Sequence, residues 1–186
     1  MNTASESFTV KRWWARLLTL LLASFQSLAP AQAPAVSESA LKSALFFKLP
    51  QFVYRPDEVR ERPLLLCLLG SNTFNAAFEK LAQVPIDGRA VQYAKLASAA
   101  DAGRCDFLFI AQSEASQLDT TLRRLSALPM VTVSDIAGFA KAGGMVELAL
   151  GGAGAPVNIL INRRAARLQN VEFNAQLLRL ARVVEP

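Results

Sequence analysis

Apolar residues fall into short blocks, separated by polar and turn-forming residues, from about residue 38 to the C-terminus. The runs Leu64 to Leu69 and Cys105 to Ile110 are almost entirely apolar, as is typical of central parallel strands, which are covered on both faces. Other blocks repeat their apolar residues at the spacing of a helix. We therefore expect helices to begin near Ser37 or Ser39, near Asn72, at Ser113 and at Asn174.

The first of these helices should bury one apolar face. Phe46 and Phe47 widen that face, which suits either a core contact or a contact between subunits. Pro50 lies inside the pattern and should kink or end the helix, because proline lacks the N–H group and clashes with the preceding turn. The residues at helical spacing are Leu41, Ala44, Leu45, Leu49 and Phe52.

The order of the blocks predicts the fold class. Strands alternate with helices, which favours a three-layer α/β domain with a mostly parallel, Rossmann-like sheet. Met145 to Leu150 and Val157 to Ile161 flank a loop rich in glycine and therefore predict a C-terminal antiparallel hairpin. Asp135 to Ala142 is expected to be a short helix that ends at Gly143 and Gly144.

The first residues have the layout of a cleaved secretory signal. Lys11, Arg12 and Arg16 precede a short apolar run, and small residues and prolines follow. We expect residues 1–31 to be a signal peptide, residues 32–37 a disordered linker, and residues 38–186 a single domain. Cleavage after Ala31 fits best, while Ala33 and Ala35 stay open, and a retained anchor is the alternative. The expected location is the periplasm.

Removing residues 1–31 takes away three basic residues and one acidic residue, so the formal net charge falls from +5 to +3. This modest charge and the expected secretion both argue against nucleic acid as a partner.

Cys67 and Cys105 are the two cysteines of the chain. In an oxidising compartment an even pair most simply forms a disulfide, and two buried thiols are the alternative. In a strand–helix–strand–helix–strand succession the first and third strands commonly become neighbours. Cys67 lies in the first strand and Cys105 at the entry to the third, so the two could lie side by side.

Catalytic chemistry finds little support in the sequence. The chain contains no histidine, which excludes Ser-His-Asp and Cys-His sites and metal clusters built on histidine. Asp101, Asp106 and Asp135 stand in no recognisable motif and are read mainly as caps and turn residues. We therefore expect no enzyme activity, no metal and no cofactor.

Two groups of residues are candidates for binding. Gly70, Ser71 and Asn72 follow a strand and open a helix, so with Asp135 they could form a ligand pocket at the strand C-termini, although the glycine pattern is weak. Arg163, Arg164 and Arg167 form a basic cluster. Such a cluster is usually a solvated helix face, and the alternative is a surface for an acidic partner.

Four segments carry a family resemblance: Leu41 to Pro56 (LKSALFFKLPQFVYRP), Pro63 to Gly70 (PLLLCLLG), Cys105 to Ser113 (CDFLFIAQS) and Val131 to Leu150 (VTVSDIAGFAKAGGMVELAL). Ile159 to Asn162 and Leu177 to Val183 match a closing strand and a C-terminal helix. With these segments the chain resembles the YfiR family of periplasmic proteins.

The resemblance implies a repressor that binds the periplasmic sensor domain of an inner-membrane diguanylate cyclase, lowers cyclic di-GMP and thereby disfavours biofilm. It also implies sequestration by an outer-membrane, peptidoglycan-associated lipoprotein, and a homodimer. Cys67 and Cys105 fall on the family's bridging positions. The second cysteine pair of some relatives is missing near Met145. Tyr54 and Arg55 replace an acid–Trp pair, which with Pro50 puts the family's mode of dimerisation in doubt. A periplasmic small-molecule sensor is the alternative function.

Overall fold

A seven-stranded sheet forms the centre of the protein, as seen in a computed structural model that describes residues 37–56, 61–71, 74, 76–151 and 157–185. The order across the sheet is β3-β2-β4-β5-β6-β7-β9, and a separate antiparallel pair joins β1 to β8. The strands are β1 (Val53–Tyr54), β2 (Leu64–Leu69), β3 (Val91–Leu96), β4 (Phe107–Ile110), β5 (Val131–Ser134), β6 (Val146–Leu150), β7 (Val157–Ile161), β8 (Glu172–Phe173) and β9 (Arg182–Val183).

Five strands of this sheet, β2 to β6, run parallel to one another. β7 pairs antiparallel with β6 and β9 pairs parallel with β7, so β7 and β9 both run opposite to the other five. The mostly parallel α/β class and the antiparallel hairpin are therefore confirmed. The expected signal peptide and its cleavage site lie outside the described residues, as does the linker apart from Ser37.

Five α-helices and three 3₁₀ segments lie in the described part of the chain. Ser37 caps the first helix through a hydrogen bond that Ala40 N donates to its hydroxyl. Asn162 and Asn174 cap the last two in the same way. The helices are α1 (Glu38–Lys48), α2 (Ala76–Leu81), α3 (Leu118–Leu125), α4 (Arg163–Arg167) and α5 (Ala175–Leu180), and the 3₁₀ segments are Leu49–Phe52, Ala99–Arg104 and Gln112–Gln117.

The side chains of the parallel strands alternate between two apolar cores, one on each face of the sheet. In β2, Leu64, Leu66 and Leu68 face the core that α1 and α2 cover, while Cys67 and Leu69 face the core beneath α3. Both faces of β2 and β4 are thus excluded from water, which explains why these strands are apolar runs rather than alternating sequences.

The buried face of α1 differs from the predicted one. Its buried residues are Lys42, Ser43, Phe46 and Phe47, whereas Leu41, Ala44 and Leu45 are half-buried. The prediction holds for Leu49, which is buried, and for Leu45 and Phe52, which pack against the core. It missed Lys42 and Ser43, two polar residues that face inward, where their side chains find partners. Phe46 and Phe47 are core residues, and the α-helix ends before Pro50 as expected.

Three local predictions were wrong. Residues 135–143 form turns rather than a helix. Ser113 lies inside a 3₁₀ segment whose N-cap is Ala111, and its hydroxyl instead accepts a hydrogen bond from Ser71 N. The last helix ends at Leu180, and the chain continues as β9, which pairs with β7.

Candidate functional site

A disulfide joins Cys67 to Cys105 and confirms the predicted pairing. Because β2 and β4 are neighbours, Cys67 in the middle of β2 comes close to Cys105, two residues before β4, with a Cα–Cα distance of 5.8 Å. Both cysteines are buried in the core beneath α3. The bond therefore fastens the two central strands together away from solvent.

Asp106, the next residue, is the centre of a buried ion network that the sequence analysis missed. It is 1% exposed. Arg62 donates two hydrogen bonds of 2.7 Å to the two carboxylate oxygens, and Arg55 Nη2 donates one of 2.7 Å to Oδ1. Leu65 N donates another of 2.9 Å to Oδ2. A carboxylate inside an apolar strand sequence requires such partners, and that requirement was the available signal.

This network controls the charge of Asp106. Burial alone would raise the pKa of the carboxyl, but the hydrogen bonds from Leu65, Arg55 and Arg62 and the charge of Arg55 outweigh burial, so the pKa lies below its ordinary value. Arg55 Nη1 also donates to the carbonyl oxygens of Asp106 and Pro129. The network therefore ties the loop after β1 to the start of β4.

The carboxyl ends of the parallel strands, opposite the end where Asp106 lies, are where the sequence predicts a ligand pocket. A cavity of about 300 Å³ lies there. Ser71 and Asp135 line it, while Gly70 is adjacent in the chain and Asn72 lies outside the described residues. The residues that line the cavity are Glu38, Ser39, Lys42, Ser71, Ala111, Gln112 and Asp135.

Gly70 shapes the rim of this pocket. Its φ of +97° belongs to the left-handed region, and an added Cβ would lie 2.5 Å from the Ser113 hydroxyl. Only glycine therefore allows the chain after β2 to approach the segment after β4 so closely. The residue has a backbone role beside the pocket, and no contact with a ligand is needed to explain it.

Lys42 is the pocket residue that the sequence did not reveal. Its ammonium group lies 2.5 Å from Glu38 Oε1 and 3.1 Å from Asp135 Oδ2. Burial lowers its pKa, but the hydrogen bonds and charges of the two carboxylates outweigh burial and raise the pKa above its ordinary value. Lys42 is therefore a cation that joins α1 to the end of β5. The other carboxylate oxygen, Asp135 Oδ1, is buried without a hydrogen-bond partner.

Residues 131–150, one of the segments that carry the family resemblance, use most of their buried polar groups to hold their own backbone. Thr132 and Ser134 accept hydrogen bonds from Met145 N and Ile136 N. Glu147 accepts from the N–H groups of Gly138 and Ala140. These three side chains therefore shape the turns between β5 and β6, whereas Asp135 lines the pocket.

The three predicted partner-binding arginines lie together on α4. Arg163, Arg164 and Arg167 are all exposed. Within the described ranges, none of their guanidinium groups takes part in a hydrogen bond or an ion pair. Leu168, which follows α4, is 80% exposed. The helix thus presents charge and one large apolar side chain to solvent.

The described residues contain neither a candidate metal site nor a candidate membrane-spanning helix. No group of acidic or cysteine side chains there could hold a metal ion. No helix in those ranges is long and apolar enough to cross a membrane.

The chain is similar to one protein family and to several solved structures. A family model described as YfiR/HmsC-like (DUF4154) matches residues 39–182. No curated protein matches the chain. A conserved domain protein from Vibrio cholerae shares 12% identity over 81% of this chain and 60% of its own, with a TM-score of 0.53.

A second solved structure, the ABC domain in complex with L-Trp from Streptococcus pneumonia, shares 14% identity over 76% of this chain and 59% of its own, with a TM-score of 0.50. The chain thus spans about 60% of the length of these structures. Identities this low show a shared α/β fold and nothing about activity.

Proposed function

Because the chain belongs to the YfiR/HmsC-like family, we propose that it binds the periplasmic sensor domain of an inner-membrane diguanylate cyclase and holds that enzyme inactive. The family supports a periplasmic regulator of cyclic di-GMP signalling rather than a catalyst, and the buried disulfide fits an oxidising compartment. The match over residues 39–182 carries the proposal, since it includes the five described helices apart from Glu38 and the whole central sheet apart from Val183.

The exposed arginines of α4 supply the contact in this proposal. A binding surface needs donors that the fold itself does not use, and Arg163, Arg164 and Arg167 have no partner in the described residues. Charged side chains of this kind steer a complementary partner and fix its orientation. The proposal also includes a homodimer and release of the cyclase when an outer-membrane, peptidoglycan-associated lipoprotein sequesters the repressor.

Cyclic di-GMP levels in the host test the proposal. Deleting the gene should raise cyclic di-GMP, and expressing the wild-type protein should restore the level. A variant with Arg163→Glu, Arg164→Glu and Arg167→Glu should fail to restore it. The matched control carries Lys80→Glu, Lys95→Glu and Arg104→Glu, three exposed positions on other elements, and should restore it. An unchanged level in the deletion strain, with the cyclase present, would contradict the proposal.

A small-molecule sensor is the second candidate, because Ser71, Gln112 and Asp135 converge at the sheet edge where parallel α/β folds bind ligands. Thermal unfolding with a panel of free amino acids and nucleotides tests it. A true ligand should raise the Tm in proportion to its occupancy, and the shift should disappear in Asp135→Asn. A panel that leaves the Tm unchanged argues against this function.

A further inference from the structure

A groove between α3 and α4 combines an apolar floor with a charged rim. Its volume is about 280 Å³. Leu125 and Met145 are buried in its floor, Leu122 is half-buried, and the exposed Leu168 lies at its edge. We call it the Leu168 groove. Leu122, Leu125, Met145 and Leu168 give the groove an apolar wall, which suits the insertion of an apolar side chain from a partner.

Arg164 is the one charged residue among the described residues that line this groove. From residue 163 to residue 182 the chain carries five arginines, all exposed, and a single acidic residue, Glu172. Arg163 and Arg167 line a neighbouring cleft beside Glu172. A segment that enters the groove therefore meets the positive charge of Arg164, which a carboxylate complements.

We propose that the Leu168 groove docks an acidic segment of a partner protein, which inserts one large apolar side chain beside Leu168 and pairs a carboxylate with Arg164. The inference deepens the proposed function, because it gives the chemistry of the surface that the partner presents. It adds an apolar anchor to the charged contact.

The apolar edge and the charged rim of the groove should contribute differently to binding. Binding energy at protein interfaces concentrates in a few side chains that fill well-packed, desolvated pockets, which is the role of the apolar anchor. Charges at the rim mainly raise the rate of association and select the partner. Removing the apolar edge should therefore weaken binding at any salt concentration, whereas removing Arg164 should weaken it chiefly at low salt.

A displayed library of random twelve-residue peptides, selected on the purified protein, is the probe. The enriched peptides should carry Asp or Glu close to Leu, Phe, Met or Trp. Their affinity should fall about tenfold or more in Leu168→Asp, the loss that typifies an anchor contact. Leu180→Asp is the matched control, because Leu180 is 73% exposed, follows Arg179 and does not line the groove. It should leave the affinity unchanged.

Several results would overturn the inference. The first is a selection that enriches no peptides, or enriches peptides without acidic residues. The second is an equal loss of peptide affinity in Leu168→Asp and Leu180→Asp. If Leu168→Asp turns a dimer into a monomer in sedimentation, a second copy of this chain covers the groove. If the protein binds vesicles that contain phosphatidylglycerol, and Leu168→Asp abolishes that binding, the partner is a lipid surface. Circular dichroism confirms that each variant is folded.

The host assay separates this inference from the proposed function. If Leu168→Asp restores cyclic di-GMP in the deletion strain as well as the wild type does, repression stands and the groove is not the docking site. If deletion leaves cyclic di-GMP unchanged while peptide binding depends on Leu168, the groove is a docking site for another partner. Loss of repression in Leu168→Asp but not in Leu180→Asp supports both the proposed function and the groove as the docking site.

Discussion

Two groups of arginines in this protein differ in the groups that they face. Arg55 and Arg62 direct their guanidinium groups at the buried carboxylate of Asp106, and the side chain of Arg55 is 9% exposed. Arg163, Arg164 and Arg167 lie on α4 in solvent and have no partner among the described residues. The first group is part of the fold, and the second is available to a partner.

The difference comes from the facing groups and not from the arginines. Asp106 enters the sheet next to Leu65 and needs positive charge, because an unpaired buried carboxylate is costly. No acid of the described residues pairs with the α4 arginines, and Glu172 is the one acid between residues 163 and 182. An arginine cluster in a sequence therefore indicates a binding surface only when the acidic residues that could pair with it in the fold are known.

Replacing Asp106 with alanine should have the largest effect on stability. It leaves Arg55 buried without its counter-charge, and breaking one partner of a buried ion pair costs about 3–5 kcal/mol. Urea unfolding of the purified protein measures the loss. Asp101→Ala is the control, since Asp101 is exposed in a 3₁₀ segment and should change stability by no more than about 0.5 kcal/mol. Equal losses in the two variants would show that the network is dispensable.

Loss of the disulfide should have the next largest effect. The bond spans 38 residues between two neighbouring strands, and removing a cross-link of this kind typically costs about 2–4 kcal/mol. The double variant Cys67→Ser, Cys105→Ser avoids a lone thiol, and unfolding of the wild type with and without reductant provides the comparison. If the reduced wild type is as stable as the oxidised one, the bond does not stabilise the fold.

Low pH should weaken the network around Asp106 and leave the arginines of α4 unaffected. The folded pKa of Asp106 is lowered, so its stabilisation is complete above the ordinary carboxyl pKa of about 3.9 and is lost as the pH falls through the folded pKa. The urea midpoint should therefore decline below about pH 4. The decline should be shallower in Asp106→Asn, and an identical pH profile in both proteins would contradict this origin.

The parts of the fold that follow from local apolar patterns could be predicted from the sequence. The central strands, the hairpin and the pairing of Cys67 with Cys105 follow from apolar runs and from the order in which strands become neighbours. The ends of elements were less predictable. Helix α5 stops at Leu180 because residues 182–183 pair with β7, and a pairing with a distant strand leaves no signal in local spacing.

The polar contacts that define both sites depend on residues far apart in the chain. Lys42 and Asp135 are separated by 93 positions, and a lysine on a helix is normally solvated. Arg55 and Asp106 are separated by 51 positions, and the sequence pattern indicates only a turn at Asp106, so their pairing could not be predicted. The sequence did place Ser71 and Asp135 at one edge of the sheet, because the ends of parallel strands meet there.

The variant with the smallest expected effect on stability tests the difference between the two groups of arginines most directly. Changing Arg163, Arg164 and Arg167 to glutamate should alter the free energy of unfolding by about 0.5 kcal/mol or less per position, because exposed groups without partners contribute little to the fold. The same variant should lose repression in the host, so that function and stability separate. Arg55→Glu, which places a second negative charge beside Asp106, should instead unfold the protein. If the α4 variant unfolds as readily as Arg55→Glu, its arginines belong to the fold, and α4 is not a docking surface.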